Sequence, residues 1–193
     1  MVSTAGGPLA GAAMRPQPGR TGSAPPRPVA PRGSARLMYR LHRLLQPNAG
    51  YRWLAGCLAA RPRLRRLFTA AEKGIKSGAF GCRMCGQCAL PQTGYACPMT
   101  CPKQLRNGPC GGVGADGSCE VYPGTRCVWL VAFERADGEG RAADLTLLHR
   151  PVDHRRWGES AWVSYWQGRD DDLCTADDGL GDPAVLMHGG PHA

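Results

Sequence analysis

The chain has 193 residues, a formal net charge of +9, ten cysteines and 42% hydrophobic residues, which leaves room for one ordinary domain or two small ones. No stretch approaches the roughly 18 apolar residues of a spanning helix, and the N-terminus lacks the apolar core and cleavage pattern of a secretory signal, so a cytoplasmic protein with no membrane partner is expected. The positive charge invites nucleic acid, but the interleaving of aromatic and basic residues expected of a base-stacking surface is missing, and no nucleic-acid partner is expected.

Six of the 27 glycines and seven of the 17 prolines fall in residues 1–33, MVSTAGGPLAGAAMRPQPGRTGSAPPRPVAPRG, a Gly/Pro-rich stretch. With no apolar periodicity, this stretch cannot offset the entropy of ordering and reads as a disordered arm. Residues 34–80 read as three short basic amphipathic helices. RLMYRLHRLLQP places Leu37, Met38, Leu41, Leu44 and Leu45 on one stripe and ends at a proline. YRWLAGCLAARP repeats the pattern with Trp53, Leu54, Cys57 and Leu58, and Cys57 there reads as a small buried hydrophobe. The third segment, RLRRLFTAAEKGIKSGAF, has Leu64, Leu67 and Phe68 on its apolar side. From Arg36 to Lys76 there are ten Lys or Arg against one acid, Glu72, a face suited to solvent or to an acidic protein surface.

Residues 81–129 form a cysteine-rich module with eight cysteines between positions 82 and 127. Cys82, Cys85 and Cys88 have the C-x2-C-x2-C spacing that turns three thiolates toward one centre, as at three corners of a cubane cluster. Cys97 and Cys101 are each followed by proline, as in the closing Cys-Pro of bacterial cluster runs, although the gap before the fourth cysteine is longer here. The simplest division pairs Cys82, Cys85 and Cys88 with Cys97, and Cys101, Cys110 and Cys119 with Cys127. Exchange of the fourth ligand between sets is equally compatible with the linear order. Glycines 108, 111, 112, 114 and 117 would let backbone amides approach the sulfurs of the second set.

Disulfides would need an oxidising compartment and make an awkward framework from CxxCxxC. Zinc suits the second set but leaves the third cysteine of the first poorly used. A [4Fe-4S] cluster is favoured for the first set, and for the second the choice between a cluster and zinc is open. No histidine lies within the module, and neither a dinucleotide fingerprint, a phosphate loop nor a nucleophilic triad is present, so no catalytic residue is assigned.

Beyond the module, residues 130–172 read as a hairpin and a tryptophan-rich docking tail. VWLVAF and ADLTLL supply the strands, and Trp157, Trp162 and Trp166 supply aromatic surface that would pack on the hairpin or on another subunit. Residues 173–193 read as a flexible acidic and Gly-rich terminus. The fold class is then a small, metal-stabilised α+β domain with little regular structure.

The stretches TGYACPMTCPK, RNGPCGG and CEVYP are far more specific than a bare CxxC, and with EKGIKSGAFGC they resemble the C-terminal domain associated with methylenetetrahydrofolate reductases. In some bacteria that domain is fused behind the catalytic barrel, and in others it is a separate small subunit. The resemblance covers about residues 36–172. It implies that Cys82, Cys85, Cys88, Cys97, Cys101, Cys110, Cys119 and Cys127 occupy the family's metal-binding positions, holding one or two [4Fe-4S] clusters or zinc. It also implies a hetero-oligomer in which FAD or FMN and folate sit on a larger partner subunit, and this chain relays electrons or holds the complex together. A stand-alone ferredoxin-like carrier and a zinc-ribbon nucleic-acid module are the alternatives from the residues alone.

Overall fold

In a computed structural model of the chain, residues 28–175 are described, and most of the expected arm and nearly all of the expected flexible terminus lie outside them. Residues 28–33, assigned above to the arm, are in contact with the rest of the molecule. The Arg32 amide donates to the Ala79 carbonyl at 2.8 Å, and Arg135 Nη1 donates to the Gly33 carbonyl at 3.1 Å.

Three helices follow: α1 (Ala35–Leu44), α2 (Ala49–Ala60) and α3 (Pro62–Phe80). Their ends follow from local chemistry. Ser34 and Asn48 accept from the Leu37 and Tyr51 amides as N-caps, Pro62 opens α3 where its missing N–H costs nothing, and Gly81 closes it in the left-handed region at φ 63°.

The buried faces differ from those expected. Leu64 and Leu67 of α3 point outward, and its inward stripe is Phe68, Glu72, Lys76 and Phe80, spaced four residues apart. Trp53 is exposed, whereas Ala55 and Leu58 are the buried residues of α2, because the face with the small Ala55 side chain lies against the C-terminal part of the molecule. Cys57, expected to be buried, is only half-buried. On α1, Leu37, Leu41 and Leu44 are exposed while Met38 and Leu45 pack inward.

The expected hairpin is not formed. VWLVAF begins α4 (Val128–Asp137), which buries Val128, Trp129, Ala132 and Ala136 at helical spacing. An unbroken apolar run carries no alternation, so burial decides between helix and strand. The second expected strand is a 3-10 turn, Ala142–Thr146, followed by β1 (Leu148–His149). β1 pairs antiparallel with β2 (Cys174–Thr175), with Leu148 opposite Thr175 and His149 opposite Cys174, which is the one sheet among the described residues. The architecture is small and mostly helical, not an α+β hairpin domain.

The tryptophan segment packs into the chain's own interior. Its short helix α5 (Ala161–Trp166) is capped by Ser160 and lies against α2 and α3. Trp166 stacks on Tyr51 at 4.6 Å, its indole N–H donates to the Leu45 carbonyl at 2.9 Å, and Trp162 and Trp166 both meet Phe68. The two rings expected to dock on a hairpin or a partner are therefore part of this chain's core. Trp157 remains partly exposed, stacked on His154. Among the described residues no helix is long and apolar enough to cross a membrane.

Candidate metal centre

Two small cavities of about 20 Å³ divide the eight cysteines of the module. Cys82, Cys85, Cys88 and Cys97 line one, and Cys101, Cys110, Cys119 and Cys127 line the other. The division in space is the one given by order along the chain, with no exchange of the fourth residue. All ten cysteines are free thiols.

The first cavity lies at the C-terminal end of α3, where the left-handed Gly81 turns the chain into CRMCGQC. Met84 at φ 53° and Gly86 at φ 75° continue the turn, and a Cβ at Gly86 would collide with the Arg156 carbonyl, so this loop passes too close to its neighbour for any side chain. Gln87 fastens the loop from beneath. Its amide donates to the Cys85 and Asp153 carbonyls at 3.2 and 3.1 Å and accepts from the Asp153 amide at 3.1 Å. Arg106 donates to the Gln87 carbonyl from both terminal nitrogens and places Nη1 3.9 Å from Cys85 Sγ, and the Met84 amide donates to Cys82 Sγ at 3.4 Å.

The second cavity is built from loop crossings rather than helices. Isolated bridges join Val113 to Cys119 and Ser118 to Arg126, and the Cys127 amide donates to the Gly117 carbonyl at 2.9 Å. Cys127 is the N-cap residue of α4, where the unpaired amides of the first turn favour a thiolate. Cys110 Sγ is 3.3 Å from Glu120 Oε1, and Glu120 is also paired with Lys103. Of the expected glycines, Gly112 lines this cavity and Gly117 has the positive φ of a tight turn.

The electrostatics of the first set are those of crowded thiols. Burial pushes the Cys82 thiol up to about 11, with the neighbouring Cys88 raising it further and the Met84 amide and Lys76 opposing. Cys88 and Cys97 are also raised, chiefly by burial. Thiols that raise one another must give up protons to bind a metal, so metal affinity here would depend on pH. Four sulfur donors, a backbone N–H on sulfur and two cationic side chains fit a thiolate-held metal or cluster. Among the described residues no group of three or more Cys, His, Asp or Glu side chains is drawn together at metal-holding geometry, so the thiols line each cavity without converging on one point.

Besides Arg106, Lys76 is a functional residue without a motif in the sequence. It lines the first thiol cavity from α3, is 5% exposed, and is held by Glu72 Oε1 at 2.6 Å. Burial pushes its ammonium down, but Cys88 and Glu72 reverse the effect and leave it raised. Glu72, read above as an acid on a solvated face, is wholly buried, accepting from Ser160 Oγ and from the Trp162 amide at 3.3 Å. The available signal was the four-residue spacing of Glu72 and Lys76 in line with Phe68 and Phe80.

With this geometry in place, comparison with known proteins identifies the domain. Residues 61–155 match the family described as methylene-tetrahydrofolate reductase C terminal. The match spans α3, all eight cysteines of the module and α4. No curated protein and no solved structure matches the chain.

Proposed function

We propose that the chain is an accessory subunit of a methylenetetrahydrofolate reductase, in which Cys82, Cys85, Cys88 and Cys97 hold one metal centre and Cys101, Cys110, Cys119 and Cys127 a second. The observation that carries this reading is the separation of eight thiols into two sets of four inside the family-matched segment. A [4Fe-4S] cluster at the first set, with a cluster or zinc at the second, would supply electron relay, structural cohesion or both. Lys76 and Arg106 would offset the negative charge of four thiolates, and the Met84 N–H would favour the reduced state of whatever the sulfurs bind.

The flavin-bearing catalytic subunit, carrying FAD or FMN and reducing methylenetetrahydrofolate to methyltetrahydrofolate, is the proposed partner. Docking is assigned to α1–α3, since Trp162 and Trp166 are occupied within the chain. Leu37, Leu41, Leu44 and Ile75 are exposed on α1 and α3 among arginines, an apolar surface with a basic surround. Co-expression with the reductase subunit and anaerobic purification tests the proposal. A stoichiometric complex containing about eight irons, or about four irons with one zinc, supports it; a chain that purifies alone and metal-free contradicts it.

A further inference from the structure

A cleft of about 420 Å³, other than the thiol cavities, is walled by α3, the CRMCGQC loop and the segments on either side of α5. Arg65, Arg66 and Lys73 line it from α3, at positions that recur on one side of the helix. Arg83 enters from the loop, immediately after Cys82, and Arg169 from the turn that follows α5. The carboxylate in the lining, Glu159, is held by Arg169 at 3.1 Å. Arg65, Arg66, Lys73 and Arg83 form no ion pair among the described residues.

Four uncompensated cations around one concavity repel one another and focus a positive potential into it, and a bound anion relieves both effects. A solvated basic helix accounts for Arg65, Arg66 and Lys73. It does not account for Arg83 and Arg169, which two other parts of the chain bring to the same cleft. The volume is that of a small-molecule site, and arginine forks match the oxygen geometry of carboxylates and phosphates alike. The cations are strung out rather than gathered at one point: Arg65 and Lys73 are about 12 Å apart along the helix axis. We propose that this cleft binds an extended small polyanion, a short chain of phosphate or carboxylate groups, with Arg65, Arg66 and Lys73 along its length and Arg83 on the side of the CRMCGQC loop. The inference goes beyond the role proposed above and needs neither metal centre to be occupied.

The test is calorimetric titration of the full chain, purified anaerobically, with sodium tripolyphosphate, triglutamate and inorganic phosphate at fixed ionic strength. One equivalent of tripolyphosphate or of triglutamate should bind, and inorganic phosphate should bind at least about tenfold more weakly, since it meets only part of the row. The two extended probes distinguish a phosphate from a carboxylate source. Arg66→Gln combined with Lys73→Gln should weaken binding by about tenfold or more. Arg52→Gln combined with Arg150→Gln, which removes the same charge elsewhere, should change it by less than about twofold. Binding of neither extended probe, equal binding of inorganic phosphate, or equal weakening by the two double variants overturns the proposal. So does loss of association with the reductase subunit in the Arg66 and Lys73 variant while neither extended probe binds wild type, since the cleft is then a docking surface for an acidic partner. Met84 lines both this cleft and the first thiol cavity, so metal content measured on the same samples separates failure of this site from failure of the metal assignment.

Discussion

Lys76 Nζ lies 2.6 Å from Glu72 Oε1 one turn back on α3, both side chains buried, and the lysine forms part of the wall of the first thiol cavity. The pair joins the two halves of the molecule, because Glu72 also accepts from Ser160 and Trp162 at the start of α5 and Lys76 lies 4.9 Å from the Trp162 ring centroid. Taking away one partner of such a pair leaves a charge without compensation in a dry site. Glu72→Gln or Lys76→Met alone should therefore cost about 3–5 kcal/mol of stability. Glu72→Leu combined with Lys76→Met should cost less than either single change, measured by denaturant unfolding under matched metal content. Additive losses would show that the two charges are not coupled.

Trp166 tests the reassignment of the tail. It is 3% exposed between Tyr51, Phe68 and the Leu45 carbonyl, so Trp166→Ala should lose about 3–5 kcal/mol through the cavity it leaves. Pull-down with the reductase subunit under native conditions should be unaffected while the thermal midpoint falls. A normal midpoint with lost association would return Trp166 to the interface.

Two buried groups give opposing pH dependences. Burial pushes Asp170 up to about 6, with Arg156 opposing, so the folded state holds this proton more tightly than the unfolded chain and stability falls as pH rises from about 4 to about 6. Burial, with Arg106 adding to it, holds His149 down to about 4, so its contribution is present above the ordinary histidine range and is lost as pH falls from about 6.5 to 4. Each effect is worth about 3 kcal/mol, and they nearly cancel between pH 4 and 6. Replacing His149 with Gln should expose a stability that declines with rising pH across that window, and Asp170→Asn one that increases. Parallel pH profiles for the two variants would refute the assignment.

The ends of the described region carry a further expectation. Because the Arg32 amide pairs with Ala79 and Gly33 with Arg135, a chain beginning at residue 34 should melt at a lower temperature than one beginning at residue 28. Equal melting temperatures would mean that these contacts contribute nothing measurable.

Much of the helical organisation was legible because caps and breakers are local. Pro47 and Pro62 stop the first two stripes in the sequence, whereas the caps Ser34, Asn48 and Gly81 went unread although each acts through one or two residues. Burial faces were less legible, since they depend on partners distant in sequence. Trp53 carries far more apolar surface than Ala55, yet Ala55 is the residue that meets the α5 region. VWLVAF was misread as a strand for a related reason: an unbroken apolar run has no period to read, and only the packing of Val128, Trp129 and Ala132 against the cysteine module makes it α4. At the candidate site the eight cysteines could be read from spacing, but which fourth cysteine joins which set could not. Arg106 could not, because a buried cation looks like any surface cation until the fold places a thiol beside it, and for Lys76 the one hint is its four-residue spacing from Glu72.

The central claim is that the eight thiols make two independent metal centres. Iron, zinc and acid-labile sulfide measured on anaerobically purified wild-type chain, Cys85→Ser, Cys97→Ser and Cys110→Ser test it most directly. The account predicts that Cys85→Ser and Cys97→Ser each lose the same metal complement, that Cys110→Ser loses a different one, and that each keeps what the other set holds. A wild-type chain without metal, or Cys85→Ser and Cys110→Ser losing the same complement, would contradict it.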